Sequence, residues 1–191
     1  MSKKEKYVML YLIDRCIDCK ACMVACKAQW SVPEDHFRTH VDEKFDIVDE
    51  INRESRMYFL PSQCNHCDDP PCVHVCPTKA SHKRDDGIVY IDRGRCIGCK
   101  YCIVSCPYDA RFFNEELGVA EKCTFCLPRI KEGFEPACVH TCLSRTRIFG
   151  DINDPESEVS QVLKEAIKRK DKIWKLREDL GTEPNIYYIK S

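Results

Sequence analysis

The apolar residues of this chain fall in short runs, and the spacing within the first runs predicts β structure. The turn signal Asp86-Gly87 is followed by an alternating stretch from Ile88 to Asp92, which predicts a short β-hairpin. Residues 37–63 carry short strand-like apolar runs around a charged turn. That pattern predicts a second, longer β excursion.

The C-terminal part of the chain has a helical pattern instead. The dipeptide Asp154-Pro155 is a helix start signal, apolar residues recur at helical spacing over 159–167, and Gly181 is a stop signal. We expect one amphipathic helix with a solvated charged face, and residues 170–172 are a candidate break in it.

Neither hydropathy nor charge indicates a membrane span or a nucleic-acid partner. No window approaches ~18 consecutive apolar residues. The first apolar stretch, 8–13, is too short for a signal-peptide core, and there is no twin-arginine pair. Lys plus Arg is 30 and Asp plus Glu is 31 in 191 residues, so there is no charge excess of the kind that nucleic acid attracts. The expectation is a soluble or peripheral protein of one large or two small domains.

Cysteine content changes this picture. The chain has 16 cysteines, roughly 8 % of its residues, which is the edge of the range typical of disulfide scaffolds. The hydrophobic fraction of 43 % includes them, and without them it falls to roughly 35 %, below the usual globular share. Disulfide bonds or metal sites must therefore help to hold the chain together.

The spacing of the cysteines favours metal sites. Disulfide frameworks scatter cysteines irregularly, whereas all of these fall into four groups of four, with none left over. We call the groups motifs 1 to 4. They are Cys16, Cys19, Cys22 and Cys26; Cys64, Cys67, Cys72 and Cys76; Cys96, Cys99, Cys102 and Cys106; and Cys123, Cys126, Cys138 and Cys142.

The motifs repeat in pairs. Motif 1, "RCIDCKACMVAC", aligns with motif 3, "RCIGCKYCIVSC", and shares Arg, Ile, Lys and Val as well as the cysteines. The segment "PPCVHVC" of motif 2 aligns with "PACVHTC" of motif 4 and shares Pro, Val and His. This is the pattern expected of a tandem duplication of a two-motif unit.

Two kinds of metal site compete for these thiolates. A structural zinc site takes two CxxC-type pairs separated by a loop, which motif 2 or motif 4 alone would satisfy. Motifs 1 and 3 read CxxCxxCxxxC instead, the run of bacterial ferredoxins, whose fourth cysteine binds the other cluster. Motifs 2 and 3 also continue with proline, in "CPTKA" and "CPYDA". In register with two ferredoxin runs, all four motifs predict four [4Fe-4S] clusters rather than zinc.

Loop lengths predict how the motifs share these clusters. Cys76 and Cys96 lie twenty residues apart, as in a two-cluster ferredoxin, while Cys26 and Cys64 lie thirty-eight apart. Motifs 2 and 3 then form an inner unit and motifs 1 and 4 an outer one. The rival pairing, motif 1 with 2 and motif 3 with 4, is less favoured but left open. The expected ligand sets are Cys64, Cys67, Cys72 with Cys106; Cys96, Cys99, Cys102 with Cys76; Cys16, Cys19, Cys22 with Cys142; and Cys123, Cys126, Cys138 with Cys26.

Other residues near the motifs have less specific interpretations. His74 and His140 occupy equivalent places two residues before a fourth cysteine, and since no cysteine is missing we expect them to support the fold or a ligand. Trp30 and Trp174 are expected to be packing residues. No catalytic triad, phosphate loop or paired-acid site stands out, so no small-molecule substrate site is expected. Basic residues that lie next to the ligands either offset cluster charge or are ordinary surface residues; they are Arg15, Lys20, Lys27, Arg93, Arg95, Lys100 and Lys122.

The segments "NHCDDPPCVHVCPTKAS", "GRCIGCKYCIVSCPYDARF", "EKCTFC", "PACVHTC", "FGDINDP" and "LGTEPNIYY" give the chain a family resemblance. Over essentially its whole length it resembles the iron–sulfur (B) subunits of the dimethyl sulfoxide reductase superfamily, with the nearest likeness to polysulfide and thiosulfate reductase electron-transfer subunits. One departure is "CLSRTRIFGD" after Cys142, where many relatives have Cys-Pro. The loop beyond the outer cluster is therefore a place where the chain differs from the family that it resembles.

The resemblance implies two nested bacterial-ferredoxin-like units, and with the β excursion and the C-terminal helix that the sequence pattern predicts, we expect an α+β fold. The expected division is a four-cluster domain, 1–150, and a helical extension with a tail, 151–191. Within the first, the outer unit is 1–36 with 117–150, the inner unit is 61–116 and the excursion is 37–60.

The resemblance also implies a function: a non-catalytic subunit that relays electrons between a quinone-reactive membrane anchor and a molybdopterin (Mo/W) catalytic subunit. It would be peripheral on the membrane, co-exported with a signal-bearing partner, with the cytoplasmic side as the alternative. The second interpretation is a ferredoxin-like subunit of a formate dehydrogenase or hydrogenase complex, or a free polyferredoxin carrier.

Overall fold

The computed structural model describes residues 4–49 and 54–191 and has a mixed helix and strand architecture. Most helices are short, and most strands pair as local hairpins. The strands are β1 Tyr7–Leu12, β2 Thr39–Asp49, β3 Glu54–Gln63, β4 Ser81–Lys83, β5 Val89–Ile91, β6 Arg111–Asn114, β7 Val119–Lys122, β8 Arg147–Asp151, β9 Lys172–Trp174 and β10 Ile186–Lys190. The helices are α1 Ala21–Trp30, α2 Pro71–His74, α3 Tyr101–Val104, α4 Leu127–Lys131, α5 Ala137–His140 and α6 Glu158–Arg169, with 3-10 turns at Ile13–Arg15 and Glu178–Leu180.

A four-stranded sheet in the order β8-β1-β10-β9 joins the two ends of the chain. Strand β1 runs parallel to β10 and antiparallel to β8. Both faces of β1 are covered, so its sequence YVMLYL is a nearly continuous apolar run, as expected of a central strand. Since strand side chains alternate between faces, Val8 and Leu10 pack against α6 while Met9 and Tyr11 face the cysteine motifs.

Three two-stranded hairpins make up the remaining β structure of the described ranges. Strands β2 and β3 pair in the first excursion and β4 and β5 pair around the Asp86-Gly87 turn, as the sequence predicts. Strands β6 and β7 form a third hairpin, between motifs 3 and 4. The hairpins therefore separate consecutive motifs and set the distances between them.

The C-terminal helix is shorter than its start and stop signals indicate. Ser157 caps α6, and the helix ends at Arg169 with Lys170 in the left-handed conformation, at the break that the sequence marks as a candidate. The chain does not remain helical to Gly181; it continues into β9 and β10. Strand β10 is recruited by pairing with β1, and β9 by pairing with β10, and local periodicity does not reveal these tertiary contacts.

Backbone conformation repeats with the motifs. Lys20 and Lys100, the residues after the second cysteine of motifs 1 and 3, both have positive φ and both precede a helix. His66 and Phe125, the residues before the second cysteine of motifs 2 and 4, also have positive φ. These matched left-handed residues show that the sequence duplication is also a duplication of the fold around each motif.

Candidate functional site

Four cavities in the structure are each lined by four cysteines. They are similar in size. We number them along the molecule as sites 1 to 4. Site 1 is lined by Cys76, Cys96, Cys99 and Cys102; site 2 by Cys64, Cys67, Cys72 and Cys106; site 3 by Cys26, Cys123, Cys126 and Cys138; and site 4 by Cys16, Cys19, Cys22 and Cys142.

The cysteines at each site come from two motifs. In every case three cysteines of one motif meet the last cysteine of another, with motif 2 crossed with motif 3 and motif 1 crossed with motif 4. These are the four sets expected from loop lengths. The rival pairing, motif 1 with 2 and motif 3 with 4, is not the grouping in which the cysteines lie. In the described part of the chain, no three His, Cys, Asp or Glu side chains are placed to hold one metal ion.

Short helices bring each crossed cysteine into place. Helix α1 carries Cys22 towards site 4 and Cys26 towards site 3. Helix α5, in motif 4, carries Cys138 and leads to Cys142, and it packs against α1. Each helix therefore supplies cysteines to two neighbouring sites, and this is why the sites within a pair lie side by side.

The two pairs of sites meet at a stack of aromatic rings. His66 of motif 2 and Phe125 of motif 4 are fully buried, and their ring centroids lie 3.7 Å apart. The N–H of Val89 donates to His66 Nδ1 over 3.1 Å. Burial, with the charges of Lys122 and Arg111, lowers the pKa of His66 well below its usual value, so the ring is neutral. Sites 2 and 3 are thus the interior sites, and sites 1 and 4 lie at the ends.

The exposure of the cysteines also distinguishes the end sites from the interior sites. Cys99 of site 1 and Cys19 of site 4 are the exposed cysteines in the described part of the chain. At site 3 all four cysteines are buried. The end sites are thus open to the surface beside one ligand, whereas the interior sites are enclosed.

Burial makes three thiols of the interior sites difficult to ionise. Burial and the neighbouring cysteines raise the pKa of Cys26 to about 12 and that of Cys138 to about 11. Burial also raises the pKa of Cys67 to about 12. Iron or another metal binds thiolate, so binding here requires proton release and compensating positive charge.

Buried arginines supply such charge at three of the sites. Arg111 lines site 2, Arg38 lines site 3 and Arg147 lines site 4, and each is no more than 5 % exposed. Arg111 Nη2 donates to Cys72 Sγ over 2.7 Å. Nε and Nη1 of Arg38 and Arg111 are buried with no hydrogen-bond partner among the described residues. Sulfide and thiolate acceptors of a cluster would satisfy these donors, so the residues present fit a [4Fe-4S] group.

Backbone and hydroxyl donors support the last cysteines of motifs 2 and 4. The N–H of Ser81 donates to Cys76 Sγ over 3.3 Å, and Ser144 Oγ lies 3.9 Å from Cys142 Sγ. Burial alone would raise the pKa of each thiol, but backbone N–H groups outweigh it, and both pKa values lie below the usual one. Arg145 adopts the same positive φ as its counterpart Lys79. The turn beyond Cys142 is therefore kept without the usual proline.

Several residues singled out in the sequence lie away from the four cavities. His74 and His140 line none of them and pair on the surface with Asp69 and Glu135. Trp174 stacks on Tyr188, the packing role predicted for it. Of the seven basic residues next to ligands, Lys122 is buried, and its Nζ donates to the carbonyls of Val89 and Cys123; the other six are half-buried or exposed.

Sequence reasoning missed the residues that act most directly on the sites. Trp30, expected to be a packing residue, donates its indole N–H to Cys126 Sγ over 3.2 Å. Arg111 and Arg147 each lie five residues after the last cysteine of a motif, but the duplicates of those motifs, motifs 1 and 2, have serine at that position, so the duplication gives no signal for either arginine. Arg38 lies outside the repeated segments, so the duplication contains no signal for it.

Comparison with known proteins agrees with the cysteine geometry. Two family models, each described as a 4Fe-4S dicluster domain, match residues 15–80 and 55–152. The B subunit of tetrathionate reductase from Salmonella typhimurium is 44 % identical over 98 % of this chain and 74 % of its own length. The thiosulfate reductase electron transfer subunit of Salmonella typhi is 43 % identical over 79 % of each protein. The B polypeptide of polysulfide reductase from Wolinella succinogenes is 37 % identical over 97 % of this chain and 94 % of its own length.

Proposed function

The chain belongs to the iron–sulfur (B) subunits of the dimethyl sulfoxide reductase superfamily, and from that premise we propose that sites 1 to 4 each hold a [4Fe-4S] cluster in a single electron relay. The protein is an iron–sulfur electron-transfer subunit with ferredoxin-like 4Fe-4S domains. Each cluster supplies a one-electron redox centre. The residues of the chain hold these centres, bury the two interior ones and expose the two at the ends.

The crossed cysteine sets are the observation that carries this proposal. Three cysteines of one motif with the last of another is the ligand pattern of two-cluster ferredoxins, and it occurs here at all four sites, in two crossed pairs of motifs. The same crossing supports two nested units, an inner one over 61–116 and an outer one over 1–36 with 117–150, separated by the excursion 37–60. The division of the chain at residue 150 stays a prediction, and β8 to β10 link both sides of it in one sheet.

The two exposed ends support a relay between two partners. Ile97, which lines site 1, is 66 % exposed. Ile17, which lines site 4, is 59 % exposed. Exposed apolar residues beside a redox centre fit transient or stable docking of another redox protein. We propose that one end faces a molybdopterin catalytic subunit and the other a quinone-reactive membrane anchor.

The place of the protein in the cell follows from these partners. We propose that it is peripheral on a membrane as part of a complex, on the outer side through export with a signal-bearing partner. None of the helices in the described ranges is long and apolar enough to cross a bilayer.

Affinity capture of the tagged chain from native membranes tests the partners. We expect a large molybdopterin polypeptide and a multi-span membrane protein to be captured together. Ile97→Glu at site 1 and Ile17→Glu at site 4 should each lose one of these partners and keep the other. Ile167→Glu is the matched control, because Ile167 is 62 % exposed on α6 and lines no site.

Three results would contradict the partner assignment. Purification of the chain as a stable, iron-replete monomer would favour a free polyferredoxin carrier. Capture of a hydrogenase or formate dehydrogenase subunit without a quinone-reactive anchor would favour the second interpretation. Loss of both partners from the Ile167→Glu control as well would show that the end surfaces are not the docking sites.

A further inference from the structure

Site 3 differs from sites 2 and 4 in the side chain that pairs with its arginine. Arg38 Nη2 lies 3.3 Å from Glu121 Oε2, and both side chains are 3 % exposed. Arg111 at site 2 donates to a thiol and a hydroxyl, and Arg147 at site 4 donates to Tyr11, Gln63 and Thr39. Neither has a carboxylate partner in the described part of the chain. Of these three buried guanidinium groups, only that of Arg38 is paired with a carboxylate.

From this arrangement we infer that Glu121 sets the reduction potential of the cluster at site 3 by neutralising Arg38. The inference rests on the proposed function, in that site 3 must hold a cluster. Reduction adds one negative charge to a cluster, so a nearby cation stabilises the reduced form and raises its potential. A buried carboxylate beside that cation cancels part of this effect, and it does so strongly because solvent screening is weak there.

Glu121 is held in place from two sides. From the solvent side Arg93, which is 54 % exposed, also pairs with its carboxylate, and Asn114 Nδ2 donates to it over 3.3 Å. Glu121 lies on β7, two residues before motif 4, whereas Arg38 comes from the segment between motif 1 and β2. The pair thus joins two distant parts of the chain next to site 3, and Glu121 itself does not line that cavity.

Arg38 is connected to site 3 directly, because it lines the cavity, and indirectly, through Trp30. Its Nε and Nη1 are buried without a protein partner among the described residues, and the side chain lines the cavity. Its guanidinium also lies 5.1 Å from the ring centroid of Trp30, the residue whose indole donates to Cys126. The other cations near this site are Lys122, which binds the carbonyl of Cys123, and Arg147, which lies near Cys138. Glu121 contacts no ligand directly, so it is a positioning residue that acts through Arg38.

Potentiometric titration followed by electron paramagnetic resonance on the full chain, in its complex, tests this role. For Glu121→Gln we expect about a tenfold rise in the ratio of reduced to oxidised cluster at site 3, an upward shift of about 59 mV for one electron. The signals of the other three clusters should not move. The signal lost in Cys26→Ser identifies site 3.

Two further variants separate the charge effect from a structural one. Glu121→Asp keeps the charge and should keep the potential close to that of the unsubstituted protein. Arg38→Gln combined with Glu121→Gln removes the cation as well and should reverse the upward shift. Glu116→Gln is the matched control, since Glu116 lines the outer surface groove that Glu121 also lines, yet it is exposed and should change nothing.

The possible outcomes separate the inference from the proposed function. A site 3 cluster that is present but does not shift in Glu121→Gln would overturn the inference alone. The same holds for an equal shift at all four clusters, or a shift that the double variant does not reverse. Absence of any cluster at site 3 in the unsubstituted protein would overturn the proposed function and the inference together. If Glu121→Gln loses iron, Glu121→Met gives a second neutral variant for the same titration.

Discussion

The half of the molecule around sites 1 and 2 takes its cysteines from one continuous segment, 64–106, whereas the half around sites 3 and 4 takes them from two distant segments, 16–26 and 123–142. Hairpins β4–β5 and β6–β7, with strands of three or four residues, flank motifs 2 and 3 directly. At the other half, β1 from the N-terminus pairs with β10 from the C-terminus, and β8 completes the sheet beside site 4. The two halves thus share a cysteine geometry, but the segments that supply their cysteines lie at different distances along the chain.

The difference indicates where each half is vulnerable. Loop closure costs more entropy for distant segments, so assembling the half with sites 3 and 4 costs more chain entropy than assembling the half with sites 1 and 2. Three of the cysteines at site 3 belong to motif 4, and they lie about a hundred residues after Cys26. The half with sites 1 and 2 depends instead on cysteines within one continuous segment.

Replacing Cys26 has the largest expected effect on this comparison. We expect Cys26→Ser to damage the cluster at site 3 and to leave the one at site 4 largely intact, although Cys26 belongs to the same motif as the site 4 cysteines. Iron content and electron paramagnetic resonance measure which cluster is lost. Cys106→Ser is the matched change in the other half and should damage site 2 while sparing site 1. Loss of the site 4 cluster alone from Cys26→Ser would contradict the crossed assignment.

The next largest effect is expected from a packing change in the terminal sheet, by which we mean the four-stranded sheet β8-β1-β10-β9. Tyr188 is 0 % exposed, stacks on Trp174, and donates to the carbonyl of Pro61 over 3.0 Å. Tyr188→Ala should cost about 3–5 kcal/mol of unfolding free energy, as large aromatic truncations do. We expect the clusters of sites 3 and 4 to be lost at a lower temperature than those of sites 1 and 2 at one heating rate.

The neighbouring Tyr187 is the control for that change. It is only partly buried and packs on the opposite face of β10, against the α6 side of the sheet. Tyr187→Ala should therefore have a smaller effect on cluster loss. Simultaneous loss of all four clusters from Tyr188→Ala would show that the two halves do not differ in their dependence on the sheet.

The buried arginines allow a finer comparison. Arg111 donates to Cys72 at site 2, and Arg111→Gln removes a cation from a buried thiolate. We expect the potential of the site 2 cluster to fall by about 59 mV, a tenfold change for one electron. With Arg111→Lys the charge is kept and the potential should fall less, although the fork-shaped donor geometry is lost. Potentiometric titration measures both, and an upward or absent shift in Arg111→Gln would contradict this role of Arg111.

The smallest effect is expected at the helix that covers the terminal sheet. Ser157 caps α6 by accepting from the N–H of Ser160 over 3.3 Å. Ser157→Ala should lower stability by about 1 kcal/mol, the usual cost of losing such a cap. The temperature at which sites 3 and 4 lose their clusters reports it, and Ser157→Asp, which retains a cap, should stay close to the unsubstituted protein. A change confined to sites 1 and 2 would be unexpected.

The sequence predicts the cysteine groupings well, because ligand spacing and duplication leave few ways to arrange sixteen thiols. The hairpins at 37–63 and around Asp86-Gly87 were also predictable from turn signals and alternation. Strand β10 was not, since the run Ile186–Lys190 becomes a strand only by pairing with β1. The role of Arg38 was not predictable either, because it depends on a contact with Glu121, which lies in a distant part of the sequence.

Electron paramagnetic resonance of the purified chain after dithionite reduction, with iron and zinc counted on the same sample, tests the central claim most directly. We expect signals of four reduced [4Fe-4S] clusters and no stoichiometric zinc. Absence of such signals, with zinc bound in their place, would contradict the electron relay altogether.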